Sequence, residues 1–143
     1  MSSKSARSLE RFVEAQAPVF GHVCAELRAG GKQAHWMWFI FPQLASLGRS
    51  STAKFYGLHD VGDARAYLTH PVLGSRLRSC VDLVLAMEGK TAHEAFGSPD
   101  DLKLQSCMTL FEVAAHPDSP RFAEVLDWFY AGKRDLQTLS LLG

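Results

Sequence analysis

Between His35 and Gln43 the chain reads HWMWFIFPQ, with a titratable ring at one end, a side-chain amide at the other, and Trp36 and Trp38 between them. Indole faces hold flat or cationic groups by stacking, and a histidine in an aromatic setting can move a proton. A few residues on, LGRSS (47–51) places Arg49 beside Ser50, ahead of a predicted helix at TAKFYGL. Free backbone N–H groups with a nearby guanidinium suit a phosphate or carboxylate. Further along, Lys103, Ser106 and Thr109 recur three apart, which draws a polar row along an otherwise apolar helix. These types converge on one chemistry: holding an anionic or flat small molecule.

Each feature also has a plain packing explanation. Burying the rings of Trp36, Trp38, Phe39 and Phe41 contributes several kcal/mol, at about 25 cal/mol per Å² of apolar surface. Any core needs such an anchor. Ser50 or Ser51 serves as a helix N-cap, and the Lys103 row faces water if its helix lies at the surface. His70, placed before Pro71 at a helix entry, can cap the backbone with a ring nitrogen. Asp100 is also within reach of Lys103 as a surface ion pair.

Other chemistries lack their signatures. The histidines show no HxxxH or HExxH spacing and the three cysteines no CxxC, so no metal site is expected. No Walker loop, GxSxG elbow or GxGxxG fingerprint is present, and no cofactor is implied. Fifteen acids balance fifteen bases, so no global field draws nucleic acid. WMWFIF is six residues, where a membrane span needs about twenty apolar ones. The N-terminus lacks the apolar stretch of a signal peptide, and odd, scattered cysteines suit a reducing compartment, so the expected location is cytoplasmic.

The elements that must position these residues read as helices. With 143 residues, 47% of them apolar, the chain has the size and composition of one domain (1–143), in which residues 1–7 form a flexible tail. Leu9 to Gln16 and Val19 to Leu27 repeat at helical spacing, with Pro18 opening the second helix and Gly30–Gly31 closing it. WMWFIF has strand-like composition but no partner strand, so it reads as a short buried helix ending at Pro42. Asp60 and Asp63 start another helix, which His70–Pro71 ends, and PVLGSRLRSCVDLVLAME resumes. Ser98-Pro99-Asp100-Asp101 reads as an N-cap serine, a first-turn proline and two acids at the positive helix end. The helix that follows ends before His116–Pro117; one at Phe122 to Phe129 stops at Gly132, and a short one closes the chain. The expected fold is all-α, with roughly seven to nine short helices around one core and no significant sheet.

RFVEAQ, HWMWFIFPQ, LGRSS, AYLTHPVLGSRL, FGSPDDLKLQSCMTLF and VLDWFYAGKRDLQTLSLL, taken in order, resemble the bacterial family called domain of unknown function 1810. One departure is Cys107, where the family motif is expected to carry a second serine. The resemblance implies a mainly helical fold and brings no reaction, substrate or cofactor. Some relatives carry the label calpastatin. A calpain-inhibiting segment is polar and disordered, whereas this chain is apolar and patterned.

Two function classes follow. One is a small-ligand site, with or without catalysis, built from Trp36, Trp38, Gln43, Arg49, Ser50, Lys103 and Ser106, with His35 as the group for any proton transfer. In that site Lys103 and Ser106 face a pocket walled by His35 and Trp36, with Arg49 at its mouth. The other is a non-catalytic helical interaction module whose aromatics are core.

Overall fold

The computed structural model describes residues 2–117 and 120–142. It is all-α: α1 (Ser2–Gln16), α2 (Phe20–Arg28), α3 (Met37–Ile40), α4 (Ser51–Phe55), α5 (Val61–Thr69), α6 (Leu73–Leu85), α7 (Ala92–Phe96), α8 (Asp100–Ala115), α9 (Arg121–Tyr130) and α10 (Leu136–Leu142). A single 3-10 turn, Ala45–Leu47, joins α3 to α4. The ten α-helices among the described residues are one more than the upper expectation, and the additional one is α7. Its signal is present in the sequence: Thr91 accepts from the Glu94 N–H and Glu94 returns a bond to the Thr91 N–H, a reciprocal capping box.

Three boundaries differ from the sequence reading. Helix α1 begins at Ser2, so residues 2–7, expected as a tail, are helical. Pro18 does not open α2, which starts at Phe20 after Val19. Ser98 does not cap α8; Pro99 holds that position, with Asp100 and Asp101 in the first turn. Three other starts use the expected devices. Asp60 accepts from the Asp63 N–H at 2.8 Å, and Ser50 accepts from the Ala53 N–H at 3.1 Å. His70 Nδ1 accepts from both Val72 and Leu73 N–H, at 3.1 and 3.2 Å, capping α6. Gly30, at φ 81°, turns the chain out of α2 where a left-handed residue costs least.

Helix α8 is the axis. It packs against α5, α7, α9 and α10, and its buried residues (Leu104, Ser106, Cys107, Met108, Thr109, Leu110, Phe111, Ala114) run round most of its circumference. A helix covered on so many sides leaves no water for a polar row, so Ser106 and Thr109 are buried. Each donates to the carbonyl four residues back, Ser106 to Leu102 at 3.1 Å and Thr109 to Gln105 at 2.8 Å. The aromatic run folds as α3 and packs Trp36, Met37, Ile40 and Phe41 into the core.

The loops beside α3 are held by backbone pairing rather than a sheet. Leu58 N–H donates to Gln43 O at 2.9 Å and Ala45 N–H to Leu58 O at 2.8 Å, one isolated bridge between two short stretches. That places Gln43 and the LGRSS loop against the first turns of α8.

Candidate ligand groove

A groove of about 410 Å³ runs between the 43–53 segment, the start of α8 and the start of α10. Gln43, Arg49, Ser50, Lys103 and Ser106 all line it, with Asp135 and Gln137 on the α10 side. Leu47, Ala53, Pro99 and Leu102 give it apolar walls. Such a mix of apolar surface with a few polar groups is the usual make-up of a small-molecule site. Five of the residues chosen from the sequence therefore meet in one place, from segments some sixty residues apart.

Trp38 is outside the lining and is linked to it only through Lys103. It is half-buried, and the Lys103 ammonium sits 5.0 Å from the centre of its ring. Lys103 also lies 3.6 Å from Asp100 Oδ1, too long for a hydrogen bond, so this attraction is Coulombic. Arg49 is exposed and has no carboxylate partner among the described residues. Asp135 is already engaged: its Oδ2 accepts from the Thr138 N–H at 3.0 Å and the Thr138 hydroxyl at 2.6 Å. Its own N–H donates to Thr109 Oγ1 at 2.9 Å, which ties α10 to α8 through the polar row. Ser106 spends its proton on Leu102, so toward a ligand it can only accept.

Two more expected residues are elsewhere. His35 is exposed and outside the groove lining, and Trp36 is buried. The expectation that they wall the pocket is corrected. The cause is the Trp36 indole, whose Nε1 donates to Glu26 Oε1 at 2.9 Å and so draws the ring toward α2. The same oxygen accepts from Gln33 and Ala34 N–H, at 2.8 and 3.1 Å. Burial alone would raise the Glu26 carboxyl, but these bonds and nearby Lys32 outweigh it and hold the group below its usual range.

Sequence reasoning missed Lys32 altogether. Its ammonium reaches Asp100 Oδ2 at 2.8 Å and Ala34 O at 2.6 Å, and sits 5.1 Å from the Trp36 ring centre. Nothing local in GGKQ announces this, because Lys32 lies in the loop after α2 and Asp100 on α8.

A larger hollow of about 490 Å³ lies between α6 and α9, lined by Asp82, Arg121, Glu124, Asp127 and Trp128 among others. Its charges are already matched. Arg121 pairs with Asp82 and with Glu124, and Asp127 pairs with Arg134. Of the two, the groove at Lys103 has the better donors to offer. Cys24, Cys80 and Cys107 are buried and unbridged; burial pushes the Cys80 thiol up to about 12 and the Cys107 thiol well above its usual range, which disfavours the reactive thiolate at those two. Among the described residues no group of three or more His, Cys, Asp or Glu could hold a metal ion, and no helix is long and apolar enough to cross a membrane.

The fold and the groove define a small all-α protein with a mixed apolar and cationic cleft beside its central helix. The chain belongs to the family described as protein of unknown function (DUF1810), whose model matches residues 6–142. It is similar, at 50% identity and a TM-score of 0.91, to the crystal structure of the conserved hypothetical protein Rv1873 from Mycobacterium tuberculosis. That match covers 94% of this chain and 95% of the other. No curated protein matches the chain.

Proposed function

We propose that the groove beside α8 binds a small molecule carrying a phosphate or carboxylate on an apolar or flat body. The observation that carries this reading is that two cationic residues, Lys103 and Arg49, line one cleft with apolar walls. Lys103 supplies a half-buried charge steadied on Trp38, and Arg49 a planar fork at the rim. The Gln43 amide and the Ser50 hydroxyl proton add neutral donors. Leu47 and Leu102 take the body of the ligand. With His35 outside the lining, the reading is of binding and includes no proton-transfer group.

The test is a thermal-shift screen of phosphates, nucleotides and carboxylates on native protein and on Lys103→Met. A ligand that raises the native melting temperature and leaves Lys103→Met unmoved supports the groove. Equal stabilisation of both proteins, or none from any class, sinks it.

A second reading, a helical interaction module, is favoured by outward apolar side chains on α9 and α10. Trp128 is 67% exposed and Leu136 79% exposed. Sedimentation that shows association abolished by Trp128→Ser would support this reading, and a monomer at all concentrations would remove self-association from it.

A further inference from the structure

Lys32 and Lys103 flank the same carboxylate, each with its ammonium facing a tryptophan, yet the two are not equivalent. The Lys32 side chain is 6% exposed and hydrogen-bonds Asp100 Oδ2 at 2.8 Å and Ala34 O at 2.6 Å. A lysine so enclosed stays where its partners are, because leaving them strands a buried charge. Lys103 is 23% exposed, stands 3.6 Å from Asp100 Oδ1, and lines the groove. One carboxylate thus serves two ammoniums, firmly bound to one and loosely attracted to the other. Lys32 also faces the Glu26 carboxylate, so the less committed of the two charges is that of Lys103, the one that lines the cleft.

We infer that Asp100 is an internal stand-in for the ligand's anion: the incoming phosphate or carboxylate displaces it from Lys103, and Lys32 keeps its charge compensated. This rests on the groove reading above. Lys32 and Asp100 are then positioning residues, which set how readily Lys103 is released without themselves touching the ligand. Without Lys32, Asp100 would have only Lys103 to pair with and would draw it out of the cleft. With both Lys32 and Asp100 neutralised, Lys103 would again be free. Removing the two charges together is also gentler on the fold than removing one, since no unpaired buried charge remains.

The experiment is calorimetric titration with phenyl phosphate, and with inorganic phosphate as the bodiless control. It compares native protein, Lys103→Met, Lys32→Met, Asp100→Asn and the double variant Lys32→Met/Asp100→Asn. Lys103→Met should lose binding. Lys32→Met should weaken it about tenfold, the scale of one charged hydrogen bond. Asp100→Asn should tighten it a few-fold, and the double variant should return to native affinity or better. A merely structural role for Lys32 predicts no such rescue. Native-like binding by Lys32→Met, weaker binding by Asp100→Asn, or a double variant as weak as Lys32→Met overturns the inference while leaving the groove intact. Undiminished binding by Lys103→Met, or no binding by native protein, overturns the groove itself. Should Lys32→Met fail to fold, the double variant decides: affinity at or above native supports the exchange, and weaker binding ends it.

Discussion

Gln16 Nε2 donates to the Tyr67 hydroxyl at 2.9 Å, a buried contact that joins α1 to α5 across 51 residues of sequence. The same amide donates to Phe39 O at 2.6 Å, and Arg76 Nη1 donates to Gln16 Oε1 at 3.3 Å, so one side chain ties α1 to α3, α5 and α6. Gln16→Leu keeps the volume and removes every bond, which leaves the fully buried Tyr67 hydroxyl and the part-buried Phe39 carbonyl without the amide donor. We expect a loss of about 2–4 kcal/mol, since an unsatisfied buried group costs roughly 1–3 and the other bonds are lost with it. Tyr67→Phe, which deletes a single partner, should cost about 1 kcal/mol. Urea titration checks both. Equal, small effects would mean that water replaces the amide.

Trp36 and Trp38 are two residues apart and should respond differently to truncation. Trp36 is enclosed and hydrogen-bonded to Glu26, whereas Trp38 is half-buried and faces the Lys103 ammonium. Trp36→Ala should cost about 3–5 kcal/mol, because the fold cannot refill so large a volume. Trp38→Ala should cost about half as much while weakening anion binding through Lys103. A Trp38 variant less stable than the Trp36 variant would reverse this assignment.

The helices were legible because their signals are local. Apolar spacing, His70–Pro71, Gly132 and the Asp60 cap each act within a few residues of where they stand. The capping box at Thr91 and Glu94 is just as local a signal. Gln43, Arg49, Ser50, Lys103 and Ser106 were recognisable by type, and they meet because α8 is central, which its near-continuous apolar face implied. Lys32, Asp135 and the Glu26 partner of Trp36 were not legible. Their roles come from contacts between elements, such as Lys32 with Asp100, that no periodicity encodes.

Gly74 is where α6 meets the end of α5. A Cβ there would stand 2.1 Å from the Leu68 carbonyl oxygen and 2.9 Å from Arg78 Nη1. The arginine can swing aside, but the carbonyl belongs to the last turn of α5 and cannot. Gly74→Ala should therefore force the two helices apart, despite alanine's better helix propensity, at a cost of about 3 kcal/mol or more. The check is the urea midpoint beside that of Gly21→Ala, since a Cβ at Gly21 meets nothing within 4 Å. Gly21→Ala should be neutral or stabilising. Parallel behaviour of the two would show that the helix contact yields.

Glu26 gives the fold a defined acid sensitivity. Burial raises its carboxyl, but the Gln33, Trp36 and Ala34 donors and the charge of Lys32 together hold it below the ordinary range. A group depressed on folding stabilises the native state above its unfolded pKa, about 4.3 for glutamate, and that contribution is lost as pH falls through the folded value. Glu26→Gln keeps an acceptor oxygen for the same donors but cannot ionise. Native protein should therefore be the more stable of the two at pH 7, and the gap should close as the pH drops below about 4. Other carboxylates titrate in the same window, yet they are common to both proteins and cancel in the difference. Urea midpoints of the pair, measured from pH 7 down to pH 3, provide the test. A gap that stays constant with pH would mean the loss on substitution is steric, and that the ring of donors around Glu26 does not favour its charge.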